Sequence, residues 1–369
     1  IHEFILIYAK DINKVKLGLL PRDEKSILRY SNPDNDSRGD WVASDLSANG
    51  KGGRIVQSCI YPIRNPFNGE DYYPSEGRCW LFNKEKMDLW IKEGRVAFRE
   101  NTGAPFLKRY LSEVRQGLTL PTILTEFGFS QTSAAEADKI FMKKGIFEYA
   151  KPTTLLKPLI RVGAPGKNDI ILDFFSGSAS TADAVIQMNA EDGGNREFIM
   201  VQLSEGTSEK SEAYRAGYRT ICEIGKERIR RVGVKIKADS PLTTQNLDIG
   251  FRVFKLDASN MNDIYYSAGE YNQDMLSMLE SNIKTNRTDL DLLFGCLLEW
   301  GLPLSMPYAS EQIEGCTVHT YNDGDLVACF DKDIPESVIR EIAKRQPLRV
   351  VFRDDSFKDS PSKINVGET

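Results

Sequence analysis

Residues 171–186, ILDFFSGSASTADAVI, restrict the possible fold more than any other stretch of this chain. Ile170, Ile171 and Leu172 run into Asp173, a glycine follows among small side chains, and a helix-forming run begins. The surroundings repeat the alternation: DIILDFF reads as a strand, SASTADAVIQMNA as a helix and REFIMVQL as a second strand. Strand, helix and strand in close succession predict parallel pairing, because the helix carries the chain back to the same end of the sheet. Upstream, PTTLLKPLIRVGAPG reads as a helix stopped by Gly and Pro. Downstream, SEAYRAGYRTICEIGKERIRRVGVKI reads as one long helix.

The flanks have a different texture. FILIYAK near the start reads as a buried strand, which leads us to expect that an earlier part of the protein is absent from these residues. Residues 20–80 are polar and rich in turn formers, suited to loops and short strands. NKEKMDLWIKEG (83–94) places Met87, Trp90 and Ile91 at helical spacing, with Asn83 as the cap and Gly94 as the stop. Beyond about residue 248, DLDLLFGCLLEWGL is an apolar helix, CTVHTYNDGDLVACF a hairpin turning at Asn322–Gly324, PESVIREIAKRQ a helix after Pro335, and LRVVFRD a strand. This is the pattern of a separate α+β domain.

Composition excludes several classes. The 369 residues leave room for two or three domains. No apolar run reaches the ~20 residues of a membrane span, and IHEFILIYAK does not read as a signal peptide. Six cysteines without CxxC spacing and only two histidines argue against a metal centre and for reduced thiols in a cytoplasm. The net charge of −5 speaks against nucleic acid for the chain as a whole, yet KERIRRVGVKIK (226–237) carries six cations and one anion. A local basic face can still follow phosphates.

Asp173 is expected at the carboxyl end of its strand, where α/β sheets bind ligands. Gly177 lets backbone approach a ligand, and the following helix directs unpaired N–H groups there. The pattern is not G-x-G-x-x-G, since Ala179 takes the second glycine position, and it is not a P-loop, since no Lys follows. Many α/β proteins use D-x-x-x-G for packing alone, so binding and packing both stay open on these residues. Gln202, at the end of the second strand, is either an acceptor for a ribose diol or a surface residue; Glu205 lies three positions on. FEYAKPTTLL (147–156) reads by itself as a helix start.

Taken together, FEYAKPTTLLKPLI, ILDFFSGSASTADAVI and GGNREFIMVQLSE resemble the beta-group DNA amino-methyltransferases. The phrases YPIRNPFNGEDYYPSEGRCW, IKEGRVAF, LKRYLSE, AGYRTICEIGKERIRR, DIGFRVFKLDASN and LRVVFRDDSFKDSPSKIN extend the resemblance, almost end to end, to the modification subunit of type III restriction–modification systems. The resemblance implies a partial α/β Rossmann-like S-adenosylmethionine-dependent core with an inserted target-recognition region and a C-terminal α+β domain. It implies the end of the catalytic half at 1–14, target recognition at 15–140, the cofactor-binding half at 141–247, and dimerisation or partner contacts at 248–369. By position it assigns Lys151 and Pro152 to the cofactor's methionine part. It assigns Asp173, Phe175, Ser176, Gly177, Ser178 and Thr181 to the cofactor loop, and Gln202 to strand two. Ala179 and Ser180 depart from the commoner G-S-G-T-T, and the methyl of Ala179 predicts an ordinary φ there.

The family's catalytic D/N/S-P-P-Y/F is a larger departure, because no Pro-Pro occurs in the 369 residues. The expectation is that those residues lie upstream, that no catalytic residue can be named here, and that this chain alone is inactive. The implied reaction is methyl transfer to the exocyclic amine of a flipped adenine. The implied partners are double-stranded DNA, a second copy and a restriction subunit. Within 15–140, Arg78, Lys108 and Arg109 stand beside aromatics, which suits DNA contacts; a solvated charged face over Trp80 is the plainer alternative. Arg228, Arg230 and Arg231 either meet phosphates or pair with Glu223 and Glu227 at helical spacing. The rival functions are a non-catalytic specificity or dimerisation subunit, and a nucleotide-dependent oxidoreductase.

Overall fold

A computed structural model describes residues 3–49, 55–262 and 282–358, together with 361, 363, 364 and 366. The chain forms two units, Ile1–Gly250 and Phe251–Thr369.

In the first unit, α1 (Glu24–Ile27), β1 (Trp41–Ser44) and β2 (Ser47–Asn49) lead into β3 (Ile63–Arg64), β4 (Asp71–Tyr72) and β5 (Arg78–Trp80). Helix α2 (Lys84–Lys92) follows, with β6 (Val96–Phe98) and β7 (Pro105–Tyr110). These short strands make a three-stranded antiparallel sheet, β1-β7-β6, and two antiparallel pairs, β2-β5 and β3-β4. Leu46, Tyr61, Ile63, Trp80, Met87 and Val96 form their common core. The Asn83 side chain accepts from the Lys86 N–H, so α2 begins at its predicted cap.

Next come α3 (Ser130–Phe141), α4 (Thr153–Gly163), β8 (Ile170–Asp173), α5 (Ser180–Asp192), β9 (Glu197–Met200), α6 (Glu212–Arg215) and α7 (Ile221–Asp239). Strands β8 and β9 pair in parallel, with Asp173 opposite Met200. Helix α5 is the crossover between them and lies against α4 and α7. Ala184, Val185 and Met188 on α5 meet Ile160 on α4, with Ile171 and Phe198 from the sheet packed beside them. The opposite sheet face is bare: Ile170 is 62% exposed, Leu172 56%, Ile199 50% and Val201 49%.

Two expectations need correction. FILIYAK is no buried strand: the described residues there form none, and Phe4, Leu6, Ile7 and Tyr8 are all more than two-thirds exposed. A strand needs a neighbouring edge to take its backbone hydrogen bonds, and none of the described strands pairs with it. The long helix over 211–236 is broken into α6 and α7. Gly217 turns at φ +95°, and Thr220 caps α7 in a reciprocal capping box with Glu223. Helix α3 runs across the boundary expected at 140 and packs on α7 through Ala137, Phe141 and Ile224.

In the second unit, α8 (Asp289–Glu299) precedes β10 (Tyr308–Ile313), β11 (Cys316–Tyr321), β12 (Leu326–Cys329), α9 (Glu336–Lys344) and β13 (Val350–Phe352). The sheet order is β10-β11-β12-β13, antiparallel except for the parallel β12–β13 pair, which α9 connects. Leu292, Leu293 and Leu297 of α8 join Tyr321, Leu326 and Phe330 in one cluster. Val338, Ile339 and Ile342 of α9 join Cys316, Val318 and Cys329 in another. The hairpin turns at Asn322–Gly324, as its residues predict.

Candidate cofactor site

The loop between β8 and α5 is held at both ends. Asp173 accepts at Oδ2 from the Thr181 hydroxyl (2.6 Å) and at Oδ1 from the Phe175 N–H (3.1 Å). One carboxylate thus ties the last residue of β8 to the first turn of α5. In the loop, Ser176 donates its N–H to Val201 (3.2 Å), and Gly177 donates its N–H to Gln202 Oε1 (2.7 Å). Strand two therefore shapes the loop directly.

Gly177 has φ +50°, and a Cβ there would lie 3.3 Å from Phe147 Cζ. Ala179 is also left-handed, at φ +59°, ψ +36°, which corrects the ordinary φ expected of a residue with a methyl group. That conformation costs about 1–2 kcal/mol for a residue other than glycine. Ala179 is 2% exposed, so packing around it supports the turn. No side chain of this N-cap residue bonds the first turn of α5, and free N–H groups at a helix start suit an electron-rich ligand.

The other assigned residues are placed as follows. Pro152 is buried and stands at the N-cap of α4, and Lys151 before it is exposed and pairs with Glu3 (2.7 Å). Phe147, in the same segment, borders Gly177, which brings FEYAKPTTLL beside the loop. The Phe175 ring is 82% exposed. Ser178 is buried and faces Arg228, whose Nη1 donates to its hydroxyl (3.2 Å), so it faces into the protein.

The assigned DNA contacts separate. The Lys108 ammonium is buried and lies between Asp34 and Asp36, with Nζ 3.2 Å from Asp36 Oδ2. Asp36 also accepts from the Tyr110 hydroxyl (2.7 Å) and from Arg38. These donors, the Arg38 guanidinium foremost, hold the Asp36 carboxyl far below the usual carboxylate range. Lys108 is a structural ion-pair residue. Arg78 donates to Ser47 and pairs with Asp45, pinning β5 to β2. Arg109, one position along β7 and on the opposite face, is exposed. On α7, Arg230 and Arg231 pair with Glu227, while Arg228 is wholly buried against Asp183. Three of the six cations in the basic run thus face carboxylates, two of them sharing Glu227.

Sequence reasoning missed the fate of Arg228 and the part played by Phe147. The one available signal was a glycine, Gly225, three positions before Arg228 on the same helix face. Among the described residues, Cys316, Cys329 and Asp331 are the one group with metal-ligand spacing. Burial pushes the Cys329 thiol up to about 12, and Cys316 is raised for the same reason.

The loop has the parts of a nucleoside site: a left-handed glycine, a helix start without a side-chain cap, and an amide at the end of strand two meet at the carboxyl ends of parallel strands. A model of the DNA methylase family, of N6/N4 type, matches residues 1–215. The chain belongs to this family. Among curated relatives of this chain, the type III StyLTI Mod subunit of Salmonella typhimurium is 33% identical over 261 residues, covering 69% of this chain and 37% of that protein. The EcoPI Mod subunit of Escherichia phage P1 is 31% identical over 288 residues, covering 68% and 42%. The type II methyltransferase M.KpnI of Klebsiella pneumoniae is 28% identical over 251 residues, covering 63% and 57%. The chain spans about two fifths of the length of the type III relatives. Among the described residues, no helix is long and apolar enough to cross a membrane.

Proposed function

We propose that this chain acts in an adenine-specific DNA methyltransferase, as modification and recognition subunit of a type III restriction system. The β8–α5 loop, closed by Asp173 and Thr181 and shaped by Gln202 at the ends of two parallel strands, carries the reading. The family match and the relatives named as Mod subunits support it.

S-adenosylmethionine, when bound, supplies an electrophilic methyl group on a sulfonium. The chain's own residues orient it. Asp173 and Thr181 fix the loop. Gln202 shapes the loop through Oε1 and can offer Nε2 to the ribose diol. Phe175 can cover the site with its exposed ring. Lys151 and Pro152 border the methionine part through the Phe147 segment. The bare apolar face of β8–β9 suits a Rossmann-like sheet, which is covered on both faces. The short-stranded region around Arg109 suits target recognition in double-stranded DNA. The second unit, with two packed cores of its own, suits self-association and contact with a restriction subunit. The setting is the cytoplasm.

The family's catalytic Pro-Pro motif is not among residues 1–369, so these residues by themselves bind cofactor but do not turn over. Transition-state stabilisation resides in groups aimed at the reacting amine. Calorimetry with S-adenosylmethionine and with NAD, followed by labelled-methyl incorporation into DNA, tests the reading. S-adenosylmethionine binding without NAD binding is expected; the reverse preference makes the protein a nucleotide-dependent oxidoreductase instead. Cofactor binding with methylation of no DNA base by the complete native protein leaves the non-catalytic specificity subunit.

A further inference from the structure

Helix α7 carries two residues that a surface helix does not call for. Arg228 has no exposed surface. Its Nε donates to Asp183 Oδ2 (2.9 Å), and its Nη1 donates to the hydroxyls of Ser180 (2.8 Å) and Ser178 (3.2 Å). Its Nη2 lies 2.8 Å from Asp183 Oδ2 and 4.0 Å from Glu136 Oε2. Three residues earlier, a Cβ on Gly225 would sit 3.3 Å from the Gly177 carbonyl oxygen and 3.4 Å from the Ala179 Cβ. The helix thus offers bare backbone where the loop crosses it and a forked cation where the loop's hydroxyls end.

The two serines that Arg228 reaches flank Ala179, the non-glycine residue held left-handed. Asp183 is equally buried, and a fully buried ion pair seldom stabilises a fold more than apolar packing would. Its contribution is therefore geometric, in keeping with the planar fork of a guanidinium. Glu136 extends the link. Its Oε2 accepts from the Thr153 N–H (2.9 Å) and hydroxyl (3.1 Å), directly after Lys151 and Pro152.

We infer that Arg228 is a positioning residue for the cofactor. It clamps Ser178 and Ser180 on either side of Ala179 and, through Glu136, keeps the loop in register with the Lys151–Pro152 segment. The inference rests on the cofactor reading above and deepens it: Arg228 touches no cofactor atom and sets affinity through the loop's shape.

Two variants test it. Arg228→Lys keeps a cation opposite Asp183 but cannot span both hydroxyls. Ser180→Ala removes one receiving hydroxyl and leaves the ion pair. S-adenosylmethionine dissociation constants are expected to rise roughly tenfold for Arg228→Lys and about threefold for Ser180→Ala. The double variant is expected to be no weaker than Arg228→Lys, because both changes break one link. DNA affinity stays unchanged in all three, which a general loosening of the fold would not allow. Cofactor binding by Arg228→Lys within about twofold of the parent, losses that multiply in the double variant, or a parallel loss of DNA affinity overturns the inference. Should Arg228→Lys fail to fold, Ser180→Ala decides alone: a loss supports the clamp, and unchanged affinity overturns it. Absence of cofactor binding by the parent protein overturns the cofactor reading and the inference together; undiminished binding by the variants overturns the inference alone.

Discussion

Gln202 Oε1 lies 2.7 Å from the Gly177 amide nitrogen, so the residue at the end of strand two is bound to the loop that follows strand one. This contact makes Gln202 a shaper of the site as well as a candidate ligand to the ribose. Gln202→Ala leaves the Gly177 N–H without its acceptor and is expected to weaken S-adenosylmethionine binding roughly tenfold. Gln202→Glu keeps the acceptor and adds charge toward the diol, so its affinity is expected within about threefold of the parent. Equal losses in both variants, measured by calorimetry, would detach the amide oxygen from the effect.

Gly177→Val combines two penalties. Its φ of +50° is unfavourable for a β-branched residue, and the new Cβ would crowd Phe147 at 3.3 Å. Cofactor binding is expected to disappear while the far-ultraviolet circular dichroism stays that of the parent, because the strain is confined to one loop. A normal titration in the folded variant would sink the assignment of this loop.

The two neighbours on β7 are expected to behave differently in DNA binding. Arg109 is exposed, and Arg109→Ala should lower the slope of log K against log salt by ~0.9 if it meets one phosphate. Lys108 is buried between Asp34 and Asp36, and Lys108→Ala should lower the melting temperature instead, by leaving Asp34 without its cation and Asp36 with Arg38 alone. Salt titrations of DNA affinity, paired with thermal melts, separate the two roles.

Acid should act on the same cluster. Hydrogen bonds from Arg38 and Tyr110 lower the Asp36 pKa in the folded state, and the Lys108 ammonium lowers that of Asp34. A depressed carboxylate favours folding most when both states are ionised. Its contribution is therefore complete above the unfolded value of ~3.9 and is lost as pH falls below it. Melting temperature should fall below about pH 4 in the parent and less steeply in Asp36→Asn, which starts lower at neutral pH. Parallel curves from pH 7 to pH 2 would remove Asp36 from the acid response.

Much of the site's framework was legible because it rests on short-range rules. Asn83 and Gly94 bound α2, Asn322–Gly324 turns the hairpin, Pro335 precedes α9, and Asp173 ends a strand just before a helix. Even the break at Thr220 was written locally, as a T-x-x-E capping box, although the periodicity of the surrounding run concealed it.

The sequence by itself determined the strand–turn–helix order, the place of the β8–α5 loop and the family to which they point. Tertiary structure alone decided what the charged residues do. Asp183 stands 45 positions before Arg228, and Asp36 stands 72 before Lys108, yet each pair shares one buried spot. It also decided that Ala179 is left-handed, because Gly225 and Arg228 on a distant helix shape the space around it. Helical and strand periods encode which face a residue occupies. They do not encode which distant carboxylate will face it, and that partner decides whether a cation is solvated, paired or buried.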